Sequence, residues 1–271
     1  MINDSKGEHM KQLSLSGLVR KDILDAALST GKVGAHIAPS LSMVEIIVSI
    51  LSNFNQDIDS FILSKGHGAL GYYAAMHQMG WITDEQFESF ETNGGEFPGQ
   101  PSKSPNNHVE YSGGSLGMGL SYGVGVAMAK KAVQGKVYVI LGDGELNEGN
   151  VWEAAPLAAQ LKLDNLVAVV DCNGLQSDGK CENVMGQNLE ELWAANGWYV
   201  YTCDGHSVEE ITEGIKLCKQ DKPTAILART VKGKGVSFME NDNTWHHNTL
   251  SEKQYQTAIT EIGEHYGFCE K

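Results

Sequence analysis

Asp143 and Asn173 stand thirty residues apart, each at the end of an apolar run. Val137-Tyr138-Val139-Ile140-Leu141 stops at Gly142-Asp143-Gly144, and Leu166-Val167-Ala168-Val169-Val170 stops at Asp171-Cys172-Asn173. A carboxylate from Asp143, an amide oxygen from Asn173 and a backbone carbonyl from the loop at Leu175 are three hard oxygen donors. Two phosphate oxygens and a water would complete an octahedron around Mg2+. Gly142 and Gly144 allow backbone N–H groups to approach phosphate oxygens closely. The chemistry these residues suit is the holding of a diphosphate through a divalent cation.

Both apolar runs lack polar alternation, which predicts strands covered on both faces, and the helix predicted between them, from about Glu148 to Leu161, makes the pair parallel. Parallel strands deliver ligands to their C-terminal edge, so Asp143 and Asn173 emerge there side by side. Further strands are predicted at 61–63, 198–202 and 224–228, and helices at 18–28, after His67 through Met79, at 188–196 and at 207–219. Ser42-x-x-Glu45 has the form of a capping box for a helix through about Leu51, and Thr83-x-x-Gln86 of another. Residues 30–40 read as a loop, as do 93–107, which are rich in Gly, Pro, Ser and Asn; a loop as long as the second is usually functional. The fold class is α/β, a mostly parallel sheet flanked by helices.

A Gly-Asp-Gly alone is the ordinary acidic turn of many strand ends. Followed thirty residues later by Asn173, it resembles the thiamine-diphosphate motif. Glu148-Gly149-x-x-Trp152-Glu153-Ala154 and Thr230-Val231-Lys232-Gly233-Lys234-Gly235-Val236-Ser237-Phe238-Met239-Glu240 resemble the N-terminal half of transketolase, and the resemblance covers nearly the whole chain after about Leu18. It implies the thiamine-diphosphate-binding fold in its diphosphate-binding form, with thiamine diphosphate and Mg2+ as cofactors. Asp143, Asn173 and Leu175 become metal ligands, and Gly144 and Asn173 line the cofactor. His67 in Ser64-Lys65-Gly66-His67-Gly68 matches a phosphate-contacting histidine. Gly114 through its backbone and Leu116 through its side chain lie under the aminopyrimidine.

The same resemblance makes His36, within Ala35-His36-Ile37-Ala38-Pro39-Ser40-Leu41-Ser42, a substrate-facing residue. His246 is the diphosphate histidine of a Trp-His-Gly motif, with His247 in place of the glycine. Glu148 is the acid that touches the cofactor region and links the two active sites across a subunit interface. Where transketolases commonly read Pro-Gly-His-Pro, this chain has Pro98-Gly99-Gln100-Pro101. Gln100 can donate and accept hydrogen bonds but takes up no proton near neutrality. Together with Ser177, at a position commonly apolar, it points to a donor unlike that of the pentose-phosphate enzyme.

The 271 residues, 41% of them hydrophobic, suffice for one large α/β domain, taken as a single diphosphate domain over 1–271. A formal net charge of −14 argues against nucleic acid or an anionic membrane as a partner. Cysteines at 172, 181, 203, 218 and 269 form no C-x-x-C pair, so neither a disulfide framework nor a zinc site is indicated, and the cytoplasm is the expected compartment. The 112–125 segment lacks both the dinucleotide fingerprint and the lysine of a P-loop. No pyrimidine-binding domain follows in the sequence, so it is expected on a separate transketolase C-terminal-like subunit, in an α2β2 assembly.

The activity the resemblance implies is transfer of a two-carbon ketol unit between sugar phosphates. Two alternatives stand beside it: half of a thiamine-diphosphate synthase that takes pyruvate or another donor, and a non-catalytic partner that retains the fold.

Overall fold

The computed structural model describes residues 4–267 apart from 105, 106 and 218, with side chains from residue 15 onward. Cys218 and Cys269 lie outside the described residues; Cys172, Cys181 and Cys203 are free thiols. In chain order the elements are α1 (Asp4–Ser29), α2 (Ile37–Leu41), α3 (Val44–Ser52), β1 (Ser60–Leu63), α4 (Ala69–Gln78), α5 (Asp84–Glu88), α6 (Met118–Lys130), β2 (Val137–Gly142), α7 (Gly149–Gln160) and β3 (Leu166–Cys172). They continue as β4 (Leu175–Gln176), β5 (Gly179–Lys180), α8 (Cys181–Met185), α9 (Leu189–Ala195), β6 (Tyr199–Asp204), α10 (Val208–Lys216), β7 (Thr224–Arg229) and α11 (Glu252–Tyr266).

Five strands pair in the order β1-β2-β3-β7-β6, every neighbour parallel. All five expected strands are present, and β1, β2 and β3 are buried along their whole length, as unbroken apolar runs require. Successive side chains feed two cores. Tyr138, Ile140, Val167, Val169 and Ile226 pack with α1, α3, α4, α10 and α11 on one face, while Val139, Leu141, Ala168, Val170 and Leu227 pack with α6, α7 and α9 on the other. Cβ atoms alternate across a strand, so one apolar run serves both layers.

Two local expectations are corrected. The Ser42-x-x-Glu45 capping box does not form: Met43 is the N-cap of α3, without a side-chain cap. Ser42 Oγ donates instead to Asp171 Oδ2 at 2.6 Å, and Glu45 accepts from Arg20 Nη1 at 2.6 Å and Nη2 at 2.9 Å. Tertiary partners took both side chains, since a buried Arg20 needs a carboxylate more than a helix end needs a cap. Burial alone would raise Glu45, but Arg20 and His206 hold it down to about 2. The 30–40 loop is likewise interrupted by α2, which buries Ile37, Ala38, Pro39, Ser40 and Leu41. The Thr83 box with Gln86 forms as expected.

Glycines in and before α6 are explained by close packing at two positions. A Cβ at Gly119 would collide with Ser64, and one at Gly123 would meet Val139 Cγ2 at 2.6 Å. Gly125 has no such neighbour. No described helix is long and apolar enough to cross a membrane.

Candidate functional site

Four adjacent strands end at one place. The register pairs Leu63 with Ile140, Gly142 with Asp171 and Cys172 with Arg229, so the segments after β1, β2, β3 and β7 leave the same sheet edge. They carry Lys65 and His67, then Asp143, then Asp171 and Asn173, then Thr230 and Lys232. Asp143 and Asn173 thus emerge beside one another.

The floor of this edge is a buried ion pair. Lys65 Nζ bonds Asp171 Oδ2, with side-chain exposures of 1% and 0%, and donates to Pro39 O at 2.8 Å and Ser42 Oγ at 3.2 Å. Thr230 Oγ1 bonds the other carboxylate oxygen of Asp171. Burial would raise Asp171, but Lys65 and these hydroxyls hold its carboxyl below the usual value. Asp171 is thereby fully engaged, which leaves Asp143 as the carboxylate open to a ligand.

Asp143 accepts from Gly144 N at 2.8 Å and from Gly174 N. Burial and the neighbouring Asp171 charge push it up to about 6. Asn173 Oδ1 accepts from Leu175 N at 3.0 Å while its Nδ2 faces Asp171 Oδ2 at 3.3 Å, so the amide oxygen is turned away from Asp171. Leu175 opens the β4–β5 hairpin by pairing with Lys180. The three oxygen-donor residues expected from the sequence therefore lie on two consecutive strand ends, around one carboxylate whose burial favours a nearby cation.

Next to them is a cluster of imidazoles. The His67 and His246 ring centroids are 5.1 Å apart, His36 and His246 5.4 Å, His36 and His67 6.0 Å, and His36 and His247 4.6 Å. Burial, reinforced by neighbouring positive charge, pushes His36 down to about 4, His246 down to about 3 and His67 well below the usual histidine value. These three rings are neutral at pH 7, each with one donor and one acceptor nitrogen. Among the described residues no three His, Cys, Asp or Glu side chains form a metal-binding group, so the histidines do not make a metal site of their own.

Lys232 completes the cluster and was given no role from sequence, although it lies within the Thr230–Glu240 stretch. Its Nζ donates to Asn243 Oδ1 at 2.7 Å and faces His246 Nδ1 at 3.0 Å. The residue is 1% exposed, and burial together with Lys65 pushes it down to about 8. A buried amine with no carboxylate bonded to it among the described residues is a ready partner for an anion. Glu145 was also missed. It is buried and accepts from Gly117 N at 2.8 Å, Gly142 N at 3.1 Å and Ser64 Oγ, tying β1, β2 and the α6 entry together. The only sequence signal was an acid directly after Gly-Asp-Gly.

The remaining expected residues line the approach. Gly114, at φ +144, has no atom within 4 Å of where a Cβ would stand, and Leu116 is half-buried beside it. Glu148 caps α7, is exposed, and its Cβ packs so near Gly117 that a Cβ there would lie 2.6 Å away. Gln100 Oε1 fills the space that a side chain at Gly66 would need, next to His67. Tyr73 Oη fixes that loop by donating to Pro98 O at 3.1 Å, and Gly113 N donates to Pro101 O at 2.8 Å. Ser177 O accepts from Asn243 Nδ2 at 2.8 Å, which joins the hairpin to the Lys232 network.

The donor set fits an anionic cofactor held through a hard cation. Asp143 is a carboxyl whose burial disfavours its charge, and Lys232 an ammonium whose burial does the same. A cation at the first and a diphosphate at the second would relieve both. Gly144 and Gly174 place backbone N–H groups between them, and in the open space around Gly114 nothing obstructs a ring.

A family model described as the thiamine diphosphate binding domain of transketolase matches residues 35–270. One of the two subunits of an apulose-4-phosphate transketolase from Actinobacillus succinogenes is 37% identical over 242 residues, spanning 84% of this chain and 88% of that protein. A 6-deoxy-6-sulfo-D-fructose transketolase subunit from Clostridium sp. is 34% identical over 262 residues, 91% of this chain and 94% of that protein. The transketolase structure from Campylobacter jejuni matches with a TM-score of 0.82 at 27% identity, over 94% of this chain and 42% of that chain. This chain therefore belongs to the transketolase family of thiamine-diphosphate-dependent transferases and carries its thiamine diphosphate binding domain.

Proposed function

We propose that this chain is the diphosphate-binding, N-terminal-type subunit of a split transketolase-like enzyme that moves a two-carbon ketol unit between sugar phosphates or related sugars. The observation that carries this reading is the convergence of Asp143, Asn173, His67, His246 and Lys232 on one edge of a parallel sheet. Asp143, Asn173 and the Leu175 carbonyl would hold Mg2+, while His67, His246, Lys232 and the Gly144 N–H would hold the diphosphate. Gly114 and Leu116 would support the aminopyrimidine. Thiamine diphosphate, when bound, supplies the carbanion chemistry.

The protein's own task is positioning and exclusion of charge. His36 and His246, kept neutral by burial, can hydrogen-bond hydroxyls without competing for a proton near pH 7. Gln100 is a neutral contact as well, where an imidazole is usual in the family. Two relatives are named for apulose 4-phosphate and 6-deoxy-6-sulfo-D-fructose, and both are named as subunits. These names support a specialised donor and a separate C-terminal-type chain contributing the pyrimidine domain, in an α2β2 assembly in which Glu148 would sit at the subunit interface. The cytoplasm is the compartment that suits such metabolism.

The test is a donor panel on the chain assembled with its partner subunit, comparing xylulose 5-phosphate, other ketoses and pyruvate, for wild type and Gln100→His. The reading expects no transfer by the single chain, transfer by the pair, and a gain with xylulose 5-phosphate in Gln100→His. Transfer by the single chain at the full rate would refute the split assignment. Ordinary use of xylulose 5-phosphate, unaltered by the substitution, would refute the specialised donor.

A further inference from the structure

His247 is the one ring of the histidine cluster that is exposed, and the backbone holds it against His36. Ala35 and Asn248 form an isolated antiparallel bridge, Ala35 N donating to Asn248 O at 3.0 Å and Asn248 N to Ala35 O at 3.1 Å. This bridge ties the 34–36 segment, which precedes α2, to the 246–248 segment near the start of α11. Gly34 makes the contact possible: its φ is +75, and a Cβ there would lie 2.8 Å from Asn248 O and 3.2 Å from His247 Cε1. Any side chain at position 34 would press the two segments apart.

The result is a pair of imidazoles meeting edge to face, centroids 4.6 Å apart and planes at 79°. Among the described residues neither the His36 ring nor the His247 ring has a protein hydrogen-bond partner. His36 reaches inward to His67 and His246, whereas His247 stands at the rim. Two rings at this spacing present nitrogens that can serve two neighbouring hydroxyls of one molecule, each imidazole donating or accepting once. The burial that keeps His36 uncharged suits a neutral polyol chain better than an anion.

We propose that His247 is a specificity-determining residue of ketol transfer, pairing with His36 to bind adjacent hydroxyls of the sugar chain beyond the reacting carbonyl. The proposal rests on the transketolase reading and deepens it: the substrate class is a ketose bearing a vicinal diol next to its hydroxymethyl ketone. A donor with the same hydroxymethyl ketone but a carboxylate in place of the diol-bearing chain, hydroxypyruvate, would not use the contact.

The experiment is steady-state kinetics on the assembled two-subunit enzyme for wild type, His247→Gly and His247→Gln, with the best ketose donor of the panel and with hydroxypyruvate. Loss of one neutral hydrogen bond predicts a rise of roughly 3- to 10-fold in the ketose KM for His247→Gly, with kcat within about twofold. Hydroxypyruvate KM stays unchanged, and His247→Gln, which keeps a donor and an acceptor, recovers most of the ketose affinity. Equal changes with both donors, or none with either, would overturn the contact while leaving the transketolase reading standing. Wild type that transfers from neither donor would overturn that reading and the contact with it.

Discussion

Lys232 Nζ lies 3.0 Å from His246 Nδ1, and both side chains are withdrawn from solvent at the edge where β7 leaves the sheet. The amine, pushed down to about 8, is still largely protonated at pH 7 and can only donate. His246 Nδ1 therefore accepts, which places the ring proton on Nε2. One buried lysine sets the tautomer of the neighbouring histidine and also offers an ammonium to an anion.

Replacing Lys232 tests that double role. Lys232→Met removes a charged hydrogen bond worth about 1.5–3 kcal/mol, so thiamine diphosphate affinity of the assembled enzyme should fall roughly 10- to 100-fold. Calorimetric titration at fixed Mg2+ reads this directly. Affinity unchanged in Lys232→Met would mean that the amine serves only the fold.

Acid should destabilise the apoprotein through the histidine cluster. Burial and positive neighbours put His246 at about 3 and His36 at about 4, against 6.5 for an ordinary histidine. Between 6.5 and these lower values the unfolded chain binds more protons than the folded one. The stability these neutral rings contribute is thus complete above pH 6.5 and is lost as pH falls toward 4 and 3. Asp143, held up, titrates in the opposite sense, so the informative quantity is the difference between variants. His246→Asn should lose less stability than wild type between pH 7 and pH 5. The difference stays below about 2 kcal/mol, the ceiling for one proton over that window, because His246 is only partly buried. Urea denaturation at the two pH values measures it, and equal losses in both proteins would contradict the cause given for the shift.

The Lys65–Asp171 pair makes a larger prediction. Asp171→Asn keeps the shape but leaves Lys65 uncompensated beneath the site, which typically costs about 3–5 kcal/mol. The Lys65→Met, Asp171→Leu double variant should cost less than the single Asp171→Asn change, since no charge remains buried. Denaturant melts of the three proteins check the order. A loss under about 1 kcal/mol for Asp171→Asn would show that solvent reaches the pair.

The strands were legible because a run such as 137–141 buries both faces and leaves no polar alternation to misread. Their order was not, since nothing in the local pattern of 224–228 says that β7 inserts between β3 and β6. Asp143 and Asn173 could be placed from sequence because strand ends point to one edge. Asp171 sits between them, and its pairing with Lys65, 106 residues earlier, is invisible to any local reading. Ser42 and Glu45 were misread for the same reason: capping spacing is a local rule, and their partners Asp171 and Arg20 come from elsewhere in the chain. Glu145 shows the converse, a residue adjacent to a recognised motif whose work is to satisfy backbone N–H groups of two other segments.

The central claim is that Asp143 and Asn173 at this sheet edge anchor a diphosphate through Mg2+. The most direct measurement is calorimetric titration of thiamine diphosphate into the assembled enzyme, with and without Mg2+, for wild type, Asp143→Ala and Asn173→Ala. Binding by wild type should require Mg2+. Either substitution should abolish the Mg2+-dependent part while the melting profile of the apoprotein shows an intact fold. Thiamine diphosphate affinity that is unchanged in Asp143→Ala, with Mg2+ and partner present, would contradict the account.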